Sequence, residues 1–515
     1  MYDAASSTGR TIKNGHVAML YYVVNLLLGF YSRKIFIDYV GIDVLGLNQT
    51  AQNLLGFLNI AELGIGGAVA FCLYGPIARK EYDTINEIVH VQGWLYRRVA
   101  LIIGVGAIVL MAFFPMIFGD IKLPLWYAYS SFGVFLYSSL LTYFVNYKQI
   151  LFSASQQEYR ITINYNFTLI YKTIAQIFVL KYFPNPYVWW LILQVVGSTA
   201  ASWRLNRAIN KAFPFIQNKV SNGKEMVEKY KVIITKTKQL FFHAVSGFAL
   251  TQSSPLLIYA YVDIKMVAIY SNYMLIANCL RMIFNAVFTG ITSGVGNLIA
   301  EGNMEKCLSV FEELFSVKFL IIVTLLVSFA VAVNPFIAIW LGDGFFLNQS
   351  TILIIVMTLY IIMSETTTGS FKQAFGQYQD IWAPVAEAVL NIGLSILLGF
   401  YYGINGVLMG PMISLIIIIS GWKPYFVFHY CMRISYFRYI KMYFKHIFAF
   451  AITMIVVFSL WRIINLSSPS NYLTWVATYT LFALLFFIVM SASLYIFTPG
   501  IRLFFIRFKS LFIKR

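Results

Sequence analysis

Fourteen apolar runs, each roughly twenty residues long, begin near residues 17, 44, 92, 124, 163, 187, 239, 267, 315, 350, 381, 404, 443 and 472. At about 1.5 Å of rise per residue, a helix of that length crosses a hydrocarbon layer roughly 30 Å thick. The chain has 515 residues, 60% of them hydrophobic and 11% charged, which is more apolar surface than a soluble core of this length could hide. The runs lack β-type alternation, and in lipid only helices or closed barrels satisfy the backbone. The sequence therefore predicts an all-α polytopic membrane protein. The first run, from Val17, follows Arg10 and Lys13 and has no small-residue cleavage site, so it reads as a retained span rather than a signal peptide.

The net charge of +18 is distributed by loop. Arg10 and Lys13, the 79–98 loop, Arg160, the 204–238 loop, Lys306, the 433–445 stretch and the tail from Arg502 fall on one side of the membrane. The opposite loops hold Lys122, Lys181, Lys265 and Arg462, with Arg33 and Lys34 assignable to either side. By the positive-inside rule both termini are cytoplasmic. The same distribution points to anionic phospholipid headgroups, not nucleic acid, as the partner of the basic loops. Cys72, Cys279, Cys307 and Cys431 have no CxxC or other ligand spacing, so neither a disulfide framework nor a metal site is expected, and no cofactor.

A second constraint is an internal repeat. The stretch from Asp38 to Val89 returns 222 positions later: Tyr39, Val40 and Ile42 fall on Tyr261, Val262 and Ile264, and Ile77 and Ala78 on Ile299 and Ala300. Because the repeat moves the first span onto the seventh, six crossings away, both copies enter the membrane from the same side. This predicts two parallel, pseudo-symmetric six-helix lobes with a cavity between them, plus two C-terminal helices. The expected divisions are residues 1–210 and 239–430 for the lobes, 211–238 for a basic linker, and 431–515 for the extra spans and a basic tail lying on the interface.

Polar residues in the apolar runs mark the candidate site. In the eighth span Asn278, Arg281, Asn285, Thr289, Thr292 and Gly296 recur every three or four residues, on one helical face. A charge there costs a few kcal/mol on insertion scales, so Arg281 should face water, substrate or a structural partner. The second span has a comparable face of Gln49, Gln52, Gly56 and Asn59, with Glu62 beyond it, and the repeat places Asn59 on Arg281. Glu62 or Asn59 is expected to approach Arg281 in one conformation; alternatively, Glu62 caps a distorted helix before Gly64, Gly66 and Gly67. The fifth span carries Asn164, Thr168, Lys172 and Gln176 at intervals of four, a face that could line the same cavity or hold a structural lysine. Ser32 and Arg33 correspond to Ser254 and Pro255, and Pro255 is expected to bend the seventh span. Glu365 and Lys372 in the tenth span, and Glu387 with Asn391 in the eleventh, are candidates for proton or sodium coupling or for internal pairing. No GxxxxGKS/T, HExxH or GxSxG pattern is present, so soluble-enzyme chemistry has no footing.

At these residues the chain resembles the Wzx-type polysaccharide flippases, which handle O-antigen and capsule repeat units, of the multidrug/oligosaccharidyl-lipid/polysaccharide exporter superfamily. The likeness is sharpest from Tyr39 to Ile85, above all in Glu62 to Gly67 and Leu73 to Lys80. The resemblance implies a V-shaped two-lobe bundle with a cationic central cavity in a bacterial inner membrane. It further implies alternating-access export of undecaprenyl-pyrophosphate-linked oligosaccharide, in association with polysaccharide polymerase or export machinery. By similarity to the related lipid II flippases, Ser32 with Arg33, and Arg281, would recognise the diphosphate. The rival readings are a multidrug antiporter of the same superfamily, which would favour carboxylates over basic residues, and a membrane-embedded polymerase or ligase, which would need a sizeable outer loop.

Overall fold

The computed structural model describes residues 4–119, 121–216, 223–288, 295, 298–299, 302–377, 379–380, 382–464 and 469–513. Among them every regular element is helical. Among the described residues, eight helices are long and apolar enough to cross a membrane, or ten if each of two bent pairs counts as one span. One of the eight, the 50-residue segment Trp382–Cys431, reverses at Gly403, where φ is 56° and ψ is −133°, and so has the length of two crossings. Helices also occupy the fifth, sixth and seventh expected runs, although their polar residues keep them below the apolarity of the others. Each of the fourteen expected runs is thus helical.

The chain packs as two compact units, Met1–Ala268 and Ile269–Arg515. In the first, α1 (Ala4–Val40), α2 (Ile42–Leu58), α3 (Ile65–Arg79), α4 (Tyr82–Ala112), α5 (Trp126–Phe144), α6 (Phe167–Tyr182), α7 (Pro186–Ala212) and α8 (Lys231–Tyr261) follow in order. Their core is built on Leu47, Val69, Val91, Ile103, Phe132 and Leu205, all fully or nearly fully buried. α8 lies against α2 and α3. From Ile264, α9 (Ile264–Phe288) leads into the second unit, which continues with α10 (Met304–Trp340), α11 (Gln349–Ala374), α12 (Trp382–Leu415), α13 (Tyr436–Ile464), α14 (Tyr472–Phe497) and α15 (Pro499–Ile513). Its core is aromatic: Phe311, Phe371, Phe428, Phe482 and Phe486 are buried together.

The 222-residue repeat is visible in the helix boundaries. α2 begins at Ile42 and α9 at Ile264; α4 begins at Tyr82 and α10 at Met304. The turn before α4 holds Lys80 at φ 58°, and the turn before α10 holds Gly302 at φ 74°. These are equivalent left-handed positions, the first strained by a side chain and the second relieved by glycine. The copies differ where α2 ends. There the chain passes through a 3-10 turn, Asn59–Glu62, and Gly64 at φ 91°, and resumes as α3 at 45° to the preceding helix. The equivalent positions in the second copy, around Arg281, lie inside the uninterrupted helix α9.

The chain does not break at Pro255. α8 is helical without interruption through that residue, as is α1 through Ser32 and Arg33. Helices tolerate an internal proline where neighbouring hydroxyls and packing re-satisfy the freed backbone group, and the buried Ser253 and Ser254 stand in the turn concerned.

Candidate functional site

A guanidinium inside an apolar bundle needs donors' partners within reach. Arg33, on α1, meets this need at α2: its Nη2 donates to Gln49 Oε1 at 3.2 Å, and Gln49 Nε2 donates in turn to Gln52 Oε1 at 3.3 Å. Because Gln49 and Gln52 are three residues apart, they share a face of α2. One turn further along that face, Gly56 leaves room for Gln252 of α8, whose Oε1 would stand 2.8 Å from a Cβ at that position. The structure therefore brings Arg33, Gln49, Gln52 and Gln252 to one stripe of the first unit. Lys34 turns away and pairs with Asp38 at 3.8 Å, with both side chains exposed.

Where α2 breaks, the polar stripe continues as a network. Tyr96 of α4 donates to Glu62 Oε1 at 2.8 Å. Tyr143 of α5 lies 2.8 Å from Glu62 Oε2 and 3.1 Å from Asn59 Oδ1, and Ser139 donates to the same Asn59 oxygen at 3.2 Å. Glu62 is held by two neutral hydroxyls and has no ion-pair partner among the described residues. These bonds fix the geometry of the break, because they tie the 3-10 turn to two other helices. Hydrogen bonds to a charged acceptor contribute about 1.5–3 kcal/mol each. Tyr143→Phe and Tyr96→Phe are therefore expected to lower stability by about that amount. The effect should shrink in a Glu62→Gln background, as thermal unfolding of the double-mutant cycle would record. Additive losses would mean that the carboxylate does not depend on the two phenols.

Lys172 and Gln176 also come together, through a residue that periodicity alone did not single out. Gln194 of α7 accepts from Lys172 Nζ at 2.7 Å and from Gln176 Nε2 at 3.3 Å, while Gln176 also donates to the Trp190 carbonyl at 3.1 Å. The Lys172 stem lies on Gly197, where a Cβ would come within 2.4 Å of it. Arg204 donates to Thr168 at 3.1 Å. This face of α6 is thus bound to α7.

In the second unit, Asn278, Arg281 and Asn285 share a face of α9, with Asn278 and Asn285 exposed and Arg281 half-buried. Arg281 forms no hydrogen bond or ion pair among the described residues. Thr289, Thr292 and Gly296, expected on the same face, lie outside the described residues. Glu365 and Lys372 do not pair with each other: Glu365 takes Lys423 and Lys372 takes the buried Asp380. Two turns along one helix separate Glu365 from Lys372, whereas the chain after α12 and the loop after α11 carry opposite charges directly to them. Glu387 is buried, at 5% exposure. Sequence reasoning passed over Lys318 of α10, which is 2% exposed, donates to Thr366 at 3.2 Å and stands 5.3 Å from the centre of the Phe288 ring. Its signal was a lone charge within the apolar run of α10.

No protein-family model matches the chain, and no curated protein matches it by sequence. Solved structures do match. A structure of the lipid II flippase MurJ, in an inward-closed conformation, superposes with a TM-score of 0.65 at 14% identity, over 93% of this chain and 99% of that one. An inward-facing multidrug resistance transporter of the MATE family, in the MOP superfamily, superposes with a TM-score of 0.57 at 12% identity, over 80% of this chain and 97% of that one. At these identities the likeness is one of fold: the chain has the multi-pass helical architecture of these transporters.

Proposed function

We propose that the protein is a flippase for lipid-linked oligosaccharide, moving an undecaprenyl-pyrophosphate-linked repeat unit from the cytoplasmic to the periplasmic leaflet of a bacterial inner membrane. The observation that carries this reading is the chemistry of the polar helix faces. Arg33 stands with Gln49 and Gln52 in the first unit, and Arg281, without a protein partner among the described residues, stands with Asn278 and Asn285 in the second. A guanidinium fork suits diphosphate oxygens, and amides suit sugar hydroxyls. We assign Arg33 and Arg281 to the diphosphate, and Gln52, Asn59, Asn278 and Asn285 to the sugars. Lys172 and Gln176 support the latter through Gln194. The lipid tail stays in the bilayer. Both termini face the cytoplasm, the basic segment at 211–238 lies against the cytoplasmic headgroups, and exchange of a proton or sodium ion at the carboxylates Glu62, Glu365 or Glu387 supplies the driving force. Lys372 and Pro255 belong to the gating apparatus on this reading.

The second reading is a multidrug antiporter, which the MATE likeness favours. The basic bias of the faces argues against cationic drugs. One measurement separates the two: the cellular pool of undecaprenyl-diphosphate-linked oligosaccharide in a null strain, complemented with wild type or with Arg281→Ala. The expected result is accumulation in the null and in Arg281→Ala, and clearance with wild type. An unchanged pool together with raised drug sensitivity would replace the flippase by the antiporter.

A further inference from the structure

The apolar run of α13 is bracketed by Lys445 and Arg462, which stand roughly 25 Å apart along the helix at its usual rise. That is close to the thickness of a hydrocarbon layer, so Lys445 lies at a headgroup level, with Lys441 one turn outside it. On this face α13 and the end of α14 form an open groove of about 590 Å³, lined by Phe437, Phe444, Phe448 and Phe497 together with the two lysines. Phe448 and Phe497 meet edge to face, with ring centres 5.1 Å apart, and join the two helices across its floor. Phe437, Phe444 and Phe448 are 71%, 66% and 55% exposed. Among the described residues neither lysine enters an ion pair.

The neighbouring charges are already engaged. Arg438 pairs with Glu312 at 3.7 Å and Arg507 with Glu313 at 3.1 Å. The tail helix α15 is no candidate to cover the groove, because it is seated on α10: a Cβ at Gly500 would come within 2.2 Å of the Glu312 carbonyl oxygen. What remains is an apolar trough opening inward from two cations at the membrane surface, Lys441 and Lys445, neither held in an ion pair among the described residues, with Lys445 also within the electrostatic reach of Glu312. We propose that this groove is a binding site for one anionic diacyl phospholipid, its phosphodiester held by Lys441 and Lys445 and an acyl chain lying along Phe444, Phe448 and Phe497. Snorkelling alone would bring the ammonium groups to the interface; the aromatic trough beneath them gives the bound lipid a fixed place. The inference is independent of what the protein transports.

The test is native mass spectrometry of the full-length protein in detergent with equimolar phosphatidylglycerol and phosphatidylcholine. Wild type should retain phosphatidylglycerol in roughly thirtyfold preference, the factor expected from two lysines near an anionic headgroup at about 1 kcal/mol each. Lys441→Gln with Lys445→Gln should bring the ratio near parity, and the double arginine variant should restore it. Both lysines are exposed, so the thermal midpoint of the glutamine variant should match wild type. Phe444→Ala with Phe448→Ala should reduce retention of both lipids. Equal retention of the two lipids by wild type, or an unchanged preference in the glutamine variant, would overturn the proposal. So would displacement of phosphatidylglycerol by equimolar undecaprenyl phosphate, which would give the groove to the carrier lipid instead.

Discussion

Replacing Gly410 with valine is expected to lower the thermal midpoint of the purified protein by about 6–12 °C. The two halves of the segment that turns at Gly403 pack through small residues, Gly406 and Gly410 on one side and Ser395 and Gly399 on the other. A Cβ at Gly410 would stand 2.1 Å from Ser395 Oγ, 2.6 Å from its backbone nitrogen and 2.7 Å from the Asn391 carbonyl oxygen. At Gly406 it would stand 1.9 Å from the Leu398 carbonyl oxygen. In lipid, helix pairs are held by such close approach, because no hydrophobic drive brings them together. Overpacking costs about 1–3 kcal/mol, and backbone neighbours, which cannot rotate aside, put this site near the upper end. At about 2–4 °C per kcal/mol for units of this size, the shift follows. Gly393→Ala is the control, since a Cβ there meets nothing within 4 Å. A Gly410 variant that melted with this control would refute the packing argument.

The second large effect belongs to Glu365. Its pair with Lys423 is mostly removed from solvent, with side-chain exposures of 28% and 22%, and the buried Lys318 amine donates to the adjacent Thr366. Glu365→Gln removes the carboxylate and leaves Lys423 uncompensated. Breaking a fully buried pair costs about 3–5 kcal/mol; with this residual exposure about 2–3 kcal/mol is expected. The swap Glu365→Lys with Lys423→Glu should recover only part of the loss, because it restores the pair in reverse but sets a second lysine beside the buried Lys318 amine, which Glu365 now favours. Thermal unfolding of the single and double variants decides the matter. A swap no more stable than either single change would show that the charges do not act as a pair.

These two sites illustrate what the sequence discloses. Run length is a local property, so the helices were legible from apolarity alone. The polar stripe of Gln49, Gln52 and Gly56 was legible from helical spacing, whereas Arg33 was read only as a charge assignable to either side of the membrane and gained a role solely through the resemblance to the lipid II flippases. Partners were not legible. Lys423 lies 58 residues beyond Glu365 in sequence, and Gln194 is one amide among many until α7 is laid against α6. Tyr96 and Tyr143 resemble any aromatic residue of a membrane helix, and only the fold aims their hydroxyls at Glu62. At Pro255 the helix runs on, because the effect of a proline on the backbone depends on neighbours that periodicity does not record. The break at Asn59–Glu62 was signalled by the glycines that follow it, yet its absence from the second copy was not, because matching registers conceal differences in hydrogen bonding.

The shared register of the two copies also says which changes each could accept over its history. From Ile42 to Tyr82 and from Ile264 to Met304 the spacing of helix starts is identical, although few side chains agree. One residue inserted within a helix of either interval would turn the rest of that helix by about 100° about its axis, carrying lipid-facing residues inward and buried ones out. Substitutions could accumulate one at a time, each tested locally, whereas an insertion would have to be accepted by an entire helix at once. Within these intervals the two copies differ in residue identity at fixed length, so a difference in length between them has to be taken up by the segments outside.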